Sequence, residues 1–354
     1  MGAAADWHAF LDEYRAFGGK AENVMQRKGA FGLGLFPIDP SKPIELLVPD
    51  HLLVPVDQVK IEDGNLVITD DSGFPEGYGD WFARYQRNYS WGAEGRDNIL
   101  EFEQGLKDLP DTLKQVLKRN GLCNPEARFP GEDIDKEILR RFIQTRCINR
   151  NGSKVIMPII DLLNHSSTSK GYEMKDQGIA VSGMHDGEIL VRYSNTADPL
   201  VRLFGYGFNS PEPLAFSIRC VLQHNDQTFF VQGGSPNYQG GGPFKPCEIE
   251  KEDDRLIIKQ PLLGSANSPK LPKTLFIQAC NTLEGIDVDA VQLFEQIHQR
   301  NTAILVNVLD ELNDLDGEVI EKLRKGCLNQ LLALSMHFGQ RDDILNANQR
   351  KQSL

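Results

Sequence analysis

Residues Trp7 to Phe17 alternate apolar and polar side chains at helical spacing, and Gly18-Gly19 supplies a C-terminal stop, so the chain is expected to open with a helix. Between Lys28 and Asp63 the pattern changes. Gly29, Gly32 and Gly34 punctuate short apolar runs, the segment Ile44–Pro49 reads as a strand, and Leu66–Thr69 as another, bounded by Gly64-Asn65 and Asp70-Asp71. From about Asn98 the positions Ile99, Phe102, Leu106, Leu109, Leu113 and Val116 return to three-and-four spacing, with a break at Pro110-Asp111. Ile134–Gln144 is a further helix with Asp133 as its cap, and this helical insert ends near Ile148.

Strand character returns at Lys154–Met157, Gly178–Val181 and Glu188–Tyr193. Asp198-Pro199 opens a short helix, an acidic cap followed by proline at the first helical position; it covers Leu200–Phe204 and stops at Gly205. Strands are expected at Ala215–Leu222, Thr228–Gln232 and Arg255–Lys259, and Gly233–Pro246, with Gly240–Gly242 at its centre, reads as a mobile loop or boundary. Val288–Leu312 and Gly317–Phe338 carry the apolar stripes of an antiparallel helix pair, and the polar last dozen residues are expected to fray. Strands, helices, strands and then helices, without a regular strand-helix-strand rhythm, predict an α+β fold and disfavour a doubly wound parallel sheet.

Composition narrows the function more than the fold. At 354 residues the chain is long enough for two domains. Its formal charge of -12 argues against a nucleic-acid footprint, which needs a basic stripe; an acidic surface would instead steer basic partners. No basic segment followed by an apolar run opens the chain, so no secretory signal is expected. Asp6 stands where myristoylation wants Ser or Thr, and no stretch reaches the length of a membrane span. The cysteines at 123, 147, 220, 247, 280 and 327 form no closely spaced pair; neither a disulfide framework nor a cysteine zinc site is indicated, and a reducing, cytoplasmic compartment is expected.

Two motifs carry candidate chemistry. Gly32-Leu33-Gly34-Leu35-Phe36 lacks the following helix of a dinucleotide site and has Pro37 at its sixth position, so it reads either as a tight strand-to-strand turn or as a backbone cradle for a small ligand. Asp161-Leu162-Leu163-Asn164-His165-Ser166 crowds polar groups directly after the apolar run Val155–Ile160. Buried there, each must find a partner or cost about 1–3 kcal/mol. Asn164 can donate and accept, which suits recognition of a nucleoside or amino-acid fragment, and a structural network is the competing reading. The nearest histidines, His51 and His185, give no metal-ligand spacing, and the GxSxG elbow of a serine hydrolase is absent.

Taken in order, Gly32-Leu33-Gly34-Leu35, Asp161–Ser166 and Tyr206-Gly207-Phe208 resemble the SET family of protein methyltransferases over about residues 28 to 220, most closely the Rubisco large-subunit lysine methyltransferase branch. The resemblance implies a SET domain over residues 1–235, with a helical insert at about 90–148, a knot-like crossing of the chain near the second and third motifs, and a helical C-terminal domain over 236–354. It implies S-adenosylmethionine as cofactor, contacted by Asn164, His165, Arg146 and the backbone of Phe31, Gly32 and Leu33. Tyr206 becomes the catalytic tyrosine, and Arg150, Asp161, Tyr172 and Phe216 become substrate-side residues around a lysine presented by a protein partner. No metal is implied.

The chain also departs from the family pattern. Tyr193 is followed by Ser194 rather than glycine, so Asn195 stands about one turn early for its cofactor contact. Phe216 replaces a later tyrosine, which bears on how many methyl groups are added, and the three zinc-binding cysteines of post-SET segments are missing. Methylation of histidine, as in the related actin-directed branch, and a non-catalytic binding module are the alternatives. Tyr206 favours lysine over the first, and an intact set of Asn164, His165 and Tyr206 counts against the second.

Overall fold

Trp7, Phe10, Leu11 and Tyr14 share one stripe of the first helix, Gly2–Ala16, and that stripe is buried. It meets a helix at Tyr78–Tyr89 through a column of rings in which Phe10, Tyr14, Tyr78 and Tyr85 stack against Trp81. Polar atoms on these rings are not left bare: Trp7 Nε1 donates to Val24 O at 3.0 Å, Tyr78 Oη to Leu52 O at 2.6 Å and Tyr14 Oη to Leu47 O at 2.9 Å. Rings thus bury area and fix register in the same contacts.

The computed structural model describes residues 2–123, 134–194, 198–225, 227–236, 244–252, 255–283 and 288–336. The proposed cap Asp133, Asn195, the triplet Gly240–Gly242 and the polar tail lie outside the described residues. The architecture is α+β, and the chain divides into two compact units, Met1–Glu101 with Phe129–Tyr193, and Phe102–Arg128 with Ser194–Leu354. The division falls elsewhere than the boundary expected near residue 235, because the helix Asp111–Arg119 packs with the C-terminal helices rather than with the first unit.

The first unit holds an antiparallel sheet in the order Lys20–Glu22, Ile44–Pro49, Gly178–Gly183, Glu173–Lys175. Around it stand the hairpins Val24–Gly29/Gly32–Pro37 and Val59–Glu62/Asn65–Ile68, and the sheet of Val54–Pro55, Ser153–Ile156 and Cys147–Arg150. The turns Asp63-Gly64 and Asn151-Gly152 have positive φ at both central residues, the two-residue geometry that matches strand twist. The expected strand at Glu188–Tyr193 is reduced to Leu190–Val191, paired parallel with Asn164–His165.

The second unit carries a four-stranded sheet, Cys220–His224, Gln227–Val231, Arg255–Ile258 and Ile249–Glu252, with the middle pair parallel. Helix Ala290–Leu312 packs on this sheet, helices Leu271–Cys280 and Glu318–Ser335 pack on the strand pair Leu214–Phe216/Leu262–Ser265, and Ala290–Leu312 and Glu318–Ser335 run antiparallel, as their stripes predict. Asn301 and Gln330 reach from these helices into the core: Asn301 Oδ1 accepts from Ile218 N–H at 2.5 Å, and Gln330 Nε2 donates to Asp198 Oδ2 at 3.0 Å and to Phe216 O at 3.1 Å. Among the described residues no helix is long and apolar enough to cross a membrane.

Candidate functional site

The glycine motif is a hairpin. Gly29 pairs with Gly32 across the two-residue loop Ala30-Phe31; Gly32 takes φ +91°, and Phe31 projects with 59% exposure. Gly32 pairs with Gly29 and Gly34 with Arg27, so the three glycines share one face, and their missing Cβ atoms make room there for the Phe36 ring and the Glu188 carboxylate. The motif is thus the tight strand-to-strand turn of the first of its two readings.

Asn164 lies on that face. Its Nδ2 donates to Leu33 O at 3.0 Å, and a Cβ added at Gly34 would stand 2.8 Å from it. The neighbouring strand is tied to the same hairpin by Ile189 N–H donating to Leu35 O at 2.8 Å. His165, 6% exposed, accepts from Tyr193 N–H at Nδ1 over 3.2 Å, so the neutral ring carries its proton on Nε2. The Tyr193 ring lies 5.0 Å from the imidazole, and its hydroxyl donates to Leu163 O at 2.7 Å. Gly32, Leu33, Asn164 and His165 are thereby brought together in the first unit, although more than a hundred residues separate the two motifs.

Arg146 ends the helix Ile134–Arg146. Its Nη1 donates to Asp161 O at 2.7 Å, and its guanidinium stacks 4.6 Å from the Phe142 ring. Asp161 itself is 6% exposed and accepts from Tyr85 Oη and, at 3.3 Å, from Ser90 Oγ. Burial pushes its carboxyl up to about 6, against the pull of the Arg146 charge and of its hydrogen bonds. Tyr85 Oη also accepts from Ile159 N–H at 3.0 Å, and Ile159 holds φ +73°, which a β-branched residue rarely adopts. The structural-network reading of this motif describes Asp161 well, while Asn164 three residues on faces the hairpin.

Arg150 grips Asp50 with two bonds of 3.0 Å and donates to Lys175 O at 2.8 Å, and Tyr172 is half-buried against the first core. Phe216 is fully buried in a small cluster with Leu214, Leu262 and Leu275, and its N–H donates to Asp198 Oδ2 at 2.8 Å.

Tyr206 belongs to the second unit. It is the last residue of the helix Pro199–Tyr206, which runs through Gly205 and ends instead at Gly207, at φ +78° with its N–H donating to Leu203 O at 2.9 Å. This corrects the expected stop: a glycine terminates a helix where it supplies a left-handed residue, and Gly205 is still helical. Asp198 caps the helix through Oδ1, accepting from Leu200 N–H at 2.9 Å and Val201 N–H at 3.1 Å. One turn before Tyr206, the Arg202 guanidinium lies 5.2 Å from its ring and pairs with Glu212 at 2.9 Å, with both charged side chains at 0% exposure. Phe208 meets the same ring edge-on at 5.9 Å.

Sequence reading missed Glu188, whose Oε1 accepts from Asn164 Nδ2 at 2.6 Å, and the buried Arg202–Glu212 pair. A single glutamate or arginine amid ordinary polar residues makes no spaced motif, so no local signal could have picked them out. Among the described residues no group of three or more His, Cys, Asp or Glu could hold a metal ion.

No protein-family model matches this chain, and no curated protein sequence does. Among solved structures, it is similar to the SET domain of LSMT bound to lysine and AdoHcy, at 14% identity and a TM-score of 0.41, covering 99% of this chain and 93% of that one. It is also similar to Rubisco LSMT bound to AdoMet, at 14% identity and a TM-score of 0.40, covering 98% of this chain and 92% of that one.

Proposed function

We propose that the chain is a SET-fold enzyme that transfers a methyl group from S-adenosylmethionine to a lysine side chain of a protein. The observation that carries this reading is the bond from Asn164 Nδ2 to Leu33 O, which joins the glycine hairpin to the Asn-His pair as a nucleoside-amino acid site of this kind requires. The fit to the cofactor rests on the donor set. A face without Cβ atoms at Gly29, Gly32 and Gly34 lets main-chain groups approach a ligand, and Asn164 and the backbone of Phe31 to Leu33 would hold it. His165 follows Asn164 directly, and Arg146 holds the backbone of Asp161 three residues before it. When bound, the cofactor supplies a methyl group on a positively charged sulfur.

On this reading Tyr206 is the catalytic tyrosine, and Arg150, Asp161, Tyr172 and Phe216 shape or support the lysine side. The acceptor amine must be neutral to offer its lone pair. With a pKa of about 10.4, roughly a few in ten thousand free lysines are neutral near pH 7. A narrow apolar passage and a nearby positive charge both lower that pKa, so desolvation takes the place of a general base. The Tyr206 hydroxyl then orients the nitrogen, and alignment supplies most of the acceleration. A basic segment is the substrate class that suits a chain of formal charge -12, and six free thiols support a reducing, cytoplasmic setting.

The test is calorimetry with S-adenosylmethionine, followed by labelled methyl transfer to lysate protein and mass spectrometry of the modified residue. Binding with methyl-lysine in the product is the expected result; methyl-histidine would transfer the assignment to the other acceptor, and absence of binding would end it. Tyr206→Phe is expected to keep the melting temperature and to lower turnover roughly a hundredfold or more.

A further inference from the structure

Glu188 lies over the glycine face of the hairpin. A Cβ at Gly29 would stand 2.7 Å from its Oε2, and one at Gly34 would collide with its Oε1. Two strands thus omit their side chains at the place where one carboxylate rests. From there Oε1 accepts a 2.6 Å bond from Asn164 Nδ2, whose other N–H goes to Leu33 O. A carboxylate and a main-chain carbonyl only accept, so a reversed amide would set oxygen against oxygen on both sides. Chemistry therefore fixes which way Asn164 points. Both donors are spent, and the one polar atom left on that side chain is Oδ1, which no donor among the described residues reaches.

We propose that Glu188 is a positioning residue that locks the Asn164 amide, so that Oδ1 meets the ligand and selects a cationic hydrogen-bond donor, such as an ammonium, at that point. Glu94 Oε2 stands 3.9 Å from the Cβ position of Gly32, but Lys28 lies 3.5 Å from its other oxygen, so the preference for positive charge rests on Glu188. The inference rests on the methyl-donor reading and adds to it a residue that acts through the cofactor-holding Asn164, by fixing which of its atoms faces the ligand.

The experiment is calorimetric titration of the full chain with S-adenosylmethionine, with melting temperatures recorded on the same samples. Glu188→Ala is expected to raise Kd about tenfold or more, the loss of one bond to a charged group. Glu188→Gln, whose amide oxygen can still accept from Asn164, should come back to within about threefold of the unmodified chain by the same reasoning. Gly34→Ala drives a methyl group between Glu188 and Asn164 and should weaken binding as Glu188→Ala does, while Gly73→Ala, with open space around it, should change nothing. Wild-type affinity in Glu188→Ala or in Gly34→Ala overturns the proposal, and so does a Glu188→Gln variant as weak as Glu188→Ala. Failure of the unmodified chain to bind is a different result: it removes the methyl-donor reading and the inference with it.

Discussion

Asp161 and Asn164 stand three residues apart and do opposite kinds of work. The carboxylate turns inward to Tyr85 and Ser90 and gains a proton more easily than in water, because burial penalises its charge more than Arg146 rewards it. This has a consequence for stability. From the ordinary value of 3.8 up to about 6, the unfolded chain releases the proton while the folded chain keeps it, so stability falls as pH rises through that window. A shift of about two units corresponds to roughly 3 kcal/mol at about 1.36 kcal/mol per unit. Asp161→Asn cannot ionise and keeps an acceptor for Tyr85. Urea unfolding at pH 4, 5, 6 and 7 should show the wild type losing ground to this variant by that order over the window; parallel curves would mean that Asp161 binds its proton no more tightly in the folded chain than in the unfolded one.

The helix Pro199–Tyr206 is short, and eight residues do not hold a helix on propensity alone. Asp198 secures it by spending one oxygen on the first turn and the other on Phe216 N–H and Gln330. One buried carboxylate therefore clamps the tyrosine-bearing helix, a core strand and the C-terminal helix. Asp198→Asn would retain the cap through its carbonyl, but its amide nitrogen would face two donors. The expected loss is about 2 kcal/mol, from leaving buried donors without an acceptor, seen as a lower urea midpoint with an unchanged slope. An effect of a few tenths would show that the cap alone matters. The cap was legible beforehand, because aspartate followed by proline is a local signal; the bonds to Phe216 and Gln330, 18 and 132 residues away, were not.

A cut near residue 235 would appear natural from the Gly- and Pro-rich stretch that follows, yet the second unit draws on both sides of it. Asn301 and Gln330 satisfy Ile218 N–H and Phe216 O and add a bond to Asp198, and a fragment ending at 235 would lose all three bonds. Each buried group thus left unpaired costs about 1–3 kcal/mol, against total stabilities of about 5–15 kcal/mol for a domain. In a fragment of residues 1–235 the part belonging to the second unit is therefore expected not to fold, and limited proteolysis should cut within 198–225; protection there would show that this part folds without the C-terminal helices.

Wherever a signal is local, the chain announces its structure in advance. Helical stripes gave the terminal helices, apolar runs gave the strands near Ile44 and Leu66, and the spacing of Gly32 and Gly34 foretold a tight turn. These follow from backbone sterics and from the periods of 3.6 and 2, which need no distant partner. Folding alone settled which carboxylate keeps Asn164 in place, that Asp161 faces the core, and that Arg202 is buried against Glu212 beside Tyr206. Those outcomes depend on hydrogen bonds and desolvation between residues far apart along the chain, and pattern in a linear string carries no record of which acceptor a donor will meet.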